Sequence, residues 1–139
     1  MSVRADIRRA LQTLVTTAIG ITCGLGIPRE VPTGEDTWIE LGNGAAYDYD
    51  ESGGRSVRAF SLAVVTVTTI TGAKEAGDLI VLERAEARVD ALKAAIEADT
   101  HLGGLVLEAR IVSDRCEPVP ASDNAWAAGA RIEFEFDEW

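Results

Sequence analysis

The sequence predicts an α+β fold in which a mostly antiparallel four-stranded sheet carries two helices packed on one of its faces. Three observations lead there. Two segments repeat apolar residues at helical spacing, and others either alternate apolar with polar side chains or are dense in β-branched ones. Their order along the chain is α-β-β-α-β-β, which suits helices gathered on one side of an antiparallel sheet. The third is size: 139 residues at 47% hydrophobic content suffice for one domain with a core that needs neither metal nor disulfide support.

The first helix is expected over residues 3–18, where Ile7, Ala10, Leu11, Leu14, Val15 and Ala18 form the i, i+3, i+4 stripe of a half-buried face. Glycines and prolines between Gly20 and Gly34 then interrupt any regular run, leaving a connecting stretch with room for a short extended piece. A strand follows at Thr37–Leu41. Residues 42–56 combine four glycines, three carboxylates and two tyrosines, a composition that reads as a long, flexible acidic loop. From Val57 to Thr71 the chain is rich in β-branched residues with both faces apolar, as for a central strand that either has helices on one side and a partner on the other or changes environment along its length.

After Gly72 and Gly77 the second helix is expected over about Leu82–Ala98, with Leu82, Ala85, Val89, Leu92 and Ile96 as its buried seam. Gly103-Gly104 marks its end. Residues 105–113 read as a strand with Leu105, Leu107, Ala109 and Ile111 on one face, and Pro118–Asn124 as a polar connection. In residues 130–137 the alternation is almost strict, with Ile132, Phe134 and Phe136 inward and Arg131, Glu133, Glu135 and Asp137 outward. The inward set is expected to meet the second helix's seam.

A net charge of −10 disfavours a nucleic-acid reader, because Lys and Arg contacts to phosphate supply most of such binding. Only Arg4, Arg8 and Arg9 cluster, on the polar face of the first helix. No apolar run approaches the ~20 residues of a membrane span, and nothing points to secretion. Cys23 and Cys116 lack a CxxC spacing and read as buried thiols of a protein from a reducing compartment.

Catalytic constellations are close to absent, so no catalytic, cofactor-binding or metal-binding residue is assigned and the chain is read as a non-enzyme. The sole histidine, His101, stands beside a helix terminus, where capping is its ordinary role. Gly24-Leu-Gly-Ile-Pro-Arg begins like a dinucleotide fingerprint but has Arg29 at the third glycine position and follows a helix. Asp48, Asp50 and Glu51 lack the glycine and closing glutamate of a calcium loop, so a solvated loop is the simpler reading. Trp139 is the final residue of the sequence and reads equally as packing on its own domain or on a neighbour.

The helix IRRALQTLVTTA, the Gly-rich acidic insert before a long strand, the segment ARVDALKAAIEADTHLGGLVLEARI and the closing strand ARIEFEFDEW together resemble the tail terminator proteins of long-tailed bacteriophages. The resemblance spans nearly the whole chain, and its most telling piece is the junction Asp99-Thr-His-Leu-Gly-Gly-Leu-Val. It implies a ring-forming subunit without cofactor: a homo-hexamer that caps the tail tube, binding tube protein on one face and a head-completion or connector protein on the other. Genomic DNA would pass through the lumen without specific binding, in a virion neck assembled in the host bacterial cytoplasm. Under this reading Tyr47, Asp48, Tyr49, Asp50, Glu51 and Trp139 are the candidate subunit-interface residues. Another neck ring, a head–tail connector or stopper, shares the same logic. Two readings from other classes are a small-molecule-binding α+β domain, which lacks convergent polar groups at inward positions, and a metal-using hydrolase, which lacks a histidine set.

Overall fold

The fold is known from a computed structural model that describes residues 3–28, 35–49, 55–71, 77–122 and 125–138. Among these residues the chain order is α1 (Val3–Ile19), β1 (Gly24–Leu25), β2 (Asp36–Tyr49), β3 (Arg55–Thr71), α2 (Gly77–Ala98), β4 (Glu108–Ser122) and β5 (Ala125–Glu138). The strands form one sheet in the order β1-β2-β3-β5-β4. All neighbours are antiparallel except β1 and β2, which run parallel through Gly24–Trp38 and Leu25–Ile39. The sheet is therefore five-stranded and mixed. The additional strand is the short extended piece for which the connection after α1 left room; two residues carry no periodicity that a sequence could announce.

Both helices lie on the same face of the sheet. Ile7, Leu11 and Val15 from α1 and Val81, Ala85, Val89, Leu92 and Ile96 from α2 share one buried cluster with Phe60, Leu62 and Val64 of β3 and with Ile132, Phe134 and Phe136 of β5. The rings of Phe134 and Phe136 stack at 6.2 Å, and Phe60 meets Phe136 at 6.3 Å. The Phe60 ring is closed off from above by the guanidinium groups of Arg4 and Arg8, 5.0 and 5.7 Å from its centre. These cations lie over an aromatic face while their stems cover apolar surface.

Several sequence-based boundaries move, among them the start of the last strand, which is Ala125 and not residue 130. The loop expected over 42–56 is largely strand: β2 continues to Tyr49 and β3 begins at Arg55, with Ala45, Ala46, Tyr47 and Asp48 registered against Phe60, Ala59, Arg58 and Val57. Gly42, Asn43 and Gly44 fall at the register shift between Leu41 and Ala45, so these glycines mark a bulge in a long hairpin. The flexibility expected of Asp50–Gly54 concerns positions outside the described residues. Helix α2 begins at Gly77, and its seam is Val81, Ala85, Val89, Leu92 and Ile96, with Leu82 only half-buried. Gly77 is there for close approach: a Cβ would stand 2.6 Å from Cδ1 of Trp126.

Strand β4 starts at Glu108, because residues 99–107 form a compact turn. Leu102, Gly103 and Gly104 take positive φ angles of 48°, 68° and 89°. The Gly103 amide donates to Asp99 Oδ1 at 3.0 Å, His101 Nδ1 sits 2.9 Å from the Leu107 carbonyl, and the Ala109 amide donates to Thr100 O at 2.7 Å. That reversal buries Val106 and exposes Leu107, so Leu107 does not share the environment of Ala109, with which it was expected to share a face. At its far end β4 runs on to Ser122 through Pro118 and Pro120, the stretch expected as a polar connection. Prolines fit because β4 is an edge strand, whose outward amides need no ladder partner.

A polar cluster holds the start of β2 to α2. Arg88 donates to Thr66 Oγ1 at 2.7 Å and Val67 O at 2.9 Å and pairs with Glu35, while Thr66 and Thr37 share a 3.0 Å hydroxyl contact. Burial holds the Arg88 guanidinium below its ordinary pKa. With every described member of this group bonded, its desolvation is offset.

Phe134 is fully buried between the α2 seam and Phe136, so Phe134→Ala is expected to cost about 3–5 kcal/mol in denaturant unfolding. A loss below about 1 kcal/mol would contradict this packing.

Candidate interaction surface

The helices cover one face of the sheet, so every second residue of the long strands looks the other way. On β3 these are Ala59, Ser61, Ala63, Val65, Val67 and Thr69, and on β5 they are Ala127, Gly129, Arg131, Glu133, Glu135 and Asp137. Strand β2 adds Trp38 and Glu40, and β4 adds Glu108, Arg110, Ser113, Arg115 and Glu117 across the bulge at Val112. This open face has two regions. One is a ladder of ion pairs, and the other is a trough of small and β-branched residues.

In the ladder, Arg131 bridges Glu40 and Glu133, the latter at 2.9 Å. Arg110 pairs with Glu135 and with Asp137 at 2.8 Å, and its hydrogen bond to Asp137 raises an already high pKa further. These pairs neutralise a cross-strand carboxylate row that would otherwise repel. The trough lies beside them, about 400 Å³, floored by Val65, Val67, Ala127 and Gly129 and rimmed by Arg115, Glu117 and Arg131. Trp38, almost fully buried, stands one strand away with its Nε1 3.3 Å from Glu40 Oε2. Arg115 is directly opposite Arg131 in the ladder, and 79% of its side chain is exposed. Two cations facing one another across a strand pair do not stabilise the lone subunit.

Of the sequence-predicted interface residues, Tyr47, Asp48 and Tyr49 form the last turn of β2's ladder against Arg58, Val57 and Arg55. Asp50, Glu51 and Trp139 lie outside the described residues. The surface that sequence reasoning located only in part is the open face: β3's two apolar faces signalled it, while the β4 contribution was hidden by the bulge.

Among the described residues no set of His, Cys, Asp and Glu is grouped as metal ligands, and no helix is long and apolar enough to cross a membrane. Both cysteines are free. Burial, with a smaller effect from Asp36, pushes the Cys23 thiol up to about 11, and burial followed by Asp114, Glu86 and Asp90 raises Cys116.

No protein-family model matches the chain, and no curated protein matches it. Two solved structures are similar to it over most of their length. One, whose description names no function, is 14% identical, covers 98% of this chain and 94% of its own, and has a TM-score of 0.44. The other belongs to the virion of a native gene transfer agent particle, at 10% identity, 88% and 84% coverage and a TM-score of 0.40. Likeness at this level carries no functional argument.

Neither cysteine is placed as an activated nucleophile. In the folded protein at pH 8, Cys23 is expected to hold about a hundredfold less thiolate than an ordinary cysteine and to react with a disulfide reagent only after unfolding. Prompt reaction of Cys23 in the native protein would contradict the burial described.

Proposed function

We propose that this chain is a structural subunit of a phage-type virion and that, within that class, it terminates the tail: a hexameric ring that caps the tail tube and forms the tail side of the head–tail junction. The observation that carries the reading is the open sheet face. A long central strand with apolar side chains on both faces, one of them left without a helix layer, is a surface that an assembled partner would cover. The element order agrees with the sequence resemblance, with α1 and α2 bracketing the long hairpin and the self-bonded turn at Asp99–Leu107 leading into β4. In this reading the protein has no catalytic role, the open face and the rims of the ring meet tube and head-completion proteins, and the acidic surface lets DNA pass without adhering. A different ring of the same neck is the runner-up.

Electron microscopy of lysates from a phage lacking the gene tests the role directly. The expected result is DNA-filled heads unjoined to tails, with tubes of irregular and often excessive length, corrected by the wild-type copy. Normal-length tails attached to heads would reject it, and normal tails left unattached would assign the protein to a head-side connector.

A further inference from the structure

Along β5 the open face changes character in a fixed order. Ala127 and Gly129 lie in the trough with Val65 and Val67; Arg131 follows, opposite Arg115; then come Glu133, Glu135 and Asp137. The order is apolar, cationic, acidic. At roughly 3.3 Å per strand residue, Glu133 stands about 13 Å from Gly129 and Glu135 about 20 Å.

The acidic stretch is short of cations. Arg131 is shared between Glu40 and Glu133, and Arg110 among Glu108, Glu135 and Asp137, so two guanidinium groups serve five carboxylates. Oε2 of Glu133 is buried and has no hydrogen-bond partner among the described residues. The side chain keeps 13% exposure, and the broad terminal torsion of a glutamate lets either oxygen turn to an incoming donor. A buried acceptor without a donor is costly, and like charges on neighbouring strands repel, so an added cation is favoured there. At the cationic station the shortage is reversed: Arg115 is largely exposed and reaches Glu117 only at 3.8 Å.

We propose that the open face takes a segment of a protein partner whose side chains present, at alternate positions, an apolar group, a carboxylate and two cations. The proposal rests on the assembly reading above and gives the partner's chemistry. The apolar side chain fills the trough, the carboxylate meets Arg115 beside Arg131, and the two cations meet Glu133 and Glu135. A nucleic acid brings the wrong charge to the acidic stretch. A second copy laid face to face sets that stretch against another acidic stretch or against a trough, and neither pairing is complementary.

The probe is a capped peptide, Leu-Thr-Glu-Thr-Lys-Thr-Lys, titrated into the isotope-labelled full chain and followed by amide NMR shifts. The controls are spermidine and a peptide of the same composition, Leu-Thr-Lys-Thr-Glu-Thr-Lys, which in no register sets both cations on the acids and its glutamate on Arg115. The matched peptide is expected to shift the amides of Val65, Gly129 and Glu133 and to bind on the order of tenfold more tightly than either control. Glu133→Gln with Glu135→Gln should remove that preference and Arg115→Gln should reduce it, whereas Glu83→Gln with Glu86→Gln, on the exposed side of α2, should leave it unchanged. Arg131 and Arg110 retain Glu40 and Asp137 in the first variant, so no cation is stranded and melting curves should match the wild type. Equal binding of the permuted peptide or of spermidine would show simple charge attraction and overturn the proposal. Shifts confined to the helix face, or no shift at millimolar peptide, would also overturn it. Such a failure with Val65 still covered on assembly would leave the assembly reading standing. Matched binding by a chain whose loss leaves phage particles normal would remove the virion role and keep the partner chemistry.

Discussion

The structure depends on β3. It is hydrogen-bonded on both edges, to β2 and to β5, along nearly its whole length, and its apolar side chains point both ways. Two helices suffice to cover one face only. Phe60, Leu62 and Val64 therefore organise the core beneath α1 and α2, and Ala63, Val65 and Val67 are left to the other side. The arrangement of the open face is a response to that surplus. Small residues on β5 keep the trough shallow, and long charged side chains on β4 and β5 lie across the rest.

Energetically the two faces differ in kind. The helix face combines fully buried aromatic and aliphatic side chains, where losing one large group costs several kcal/mol. The Arg88 cluster at its edge is a bonded polar group whose parts cannot be removed singly without stranding the others. On the open face the Arg–carboxylate pairs are partly exposed and each contributes about 0–1 kcal/mol to the subunit. They contribute little to folding, so under the proposed assembly role their part would be orientation and specificity.

Much of this was legible in the sequence. The α1 stripe, the inward Ile132, Phe134 and Phe136, and the meeting of that set with Ala85, Val89, Leu92 and Ile96 were all readable, because period 3.6 and period 2 persist there for several repeats. What was not legible has specific causes. Gly42–Gly44 resembles a loop in composition yet is a bulge whose pairing is decided by β3. Gly77 resembles a breaker yet starts a helix, since only the fold brings Trp126 over it. The left-handed residues Leu102–Gly104 interrupt the alternation that would have put Leu107 on one face with Ala109. The interface residues chosen from composition fall at the hairpin end or outside the described residues, whereas the open face, signalled by β3's two apolar faces, is delimited only once the strand order is known.

The central claim is that the second face of β3 is a surface made for assembly. Its most direct measurement is the labelling rate of a thiol introduced at Val65, in a chain with Cys116 replaced by serine, compared between the isolated subunit and the assembly proposed for it. Val65 is half-buried at the trough floor, so the isolated subunit is expected to label readily and the assembled one to be protected by tenfold or more. Equal rates in the two states would show that this face stays open to solvent after assembly and would contradict the account.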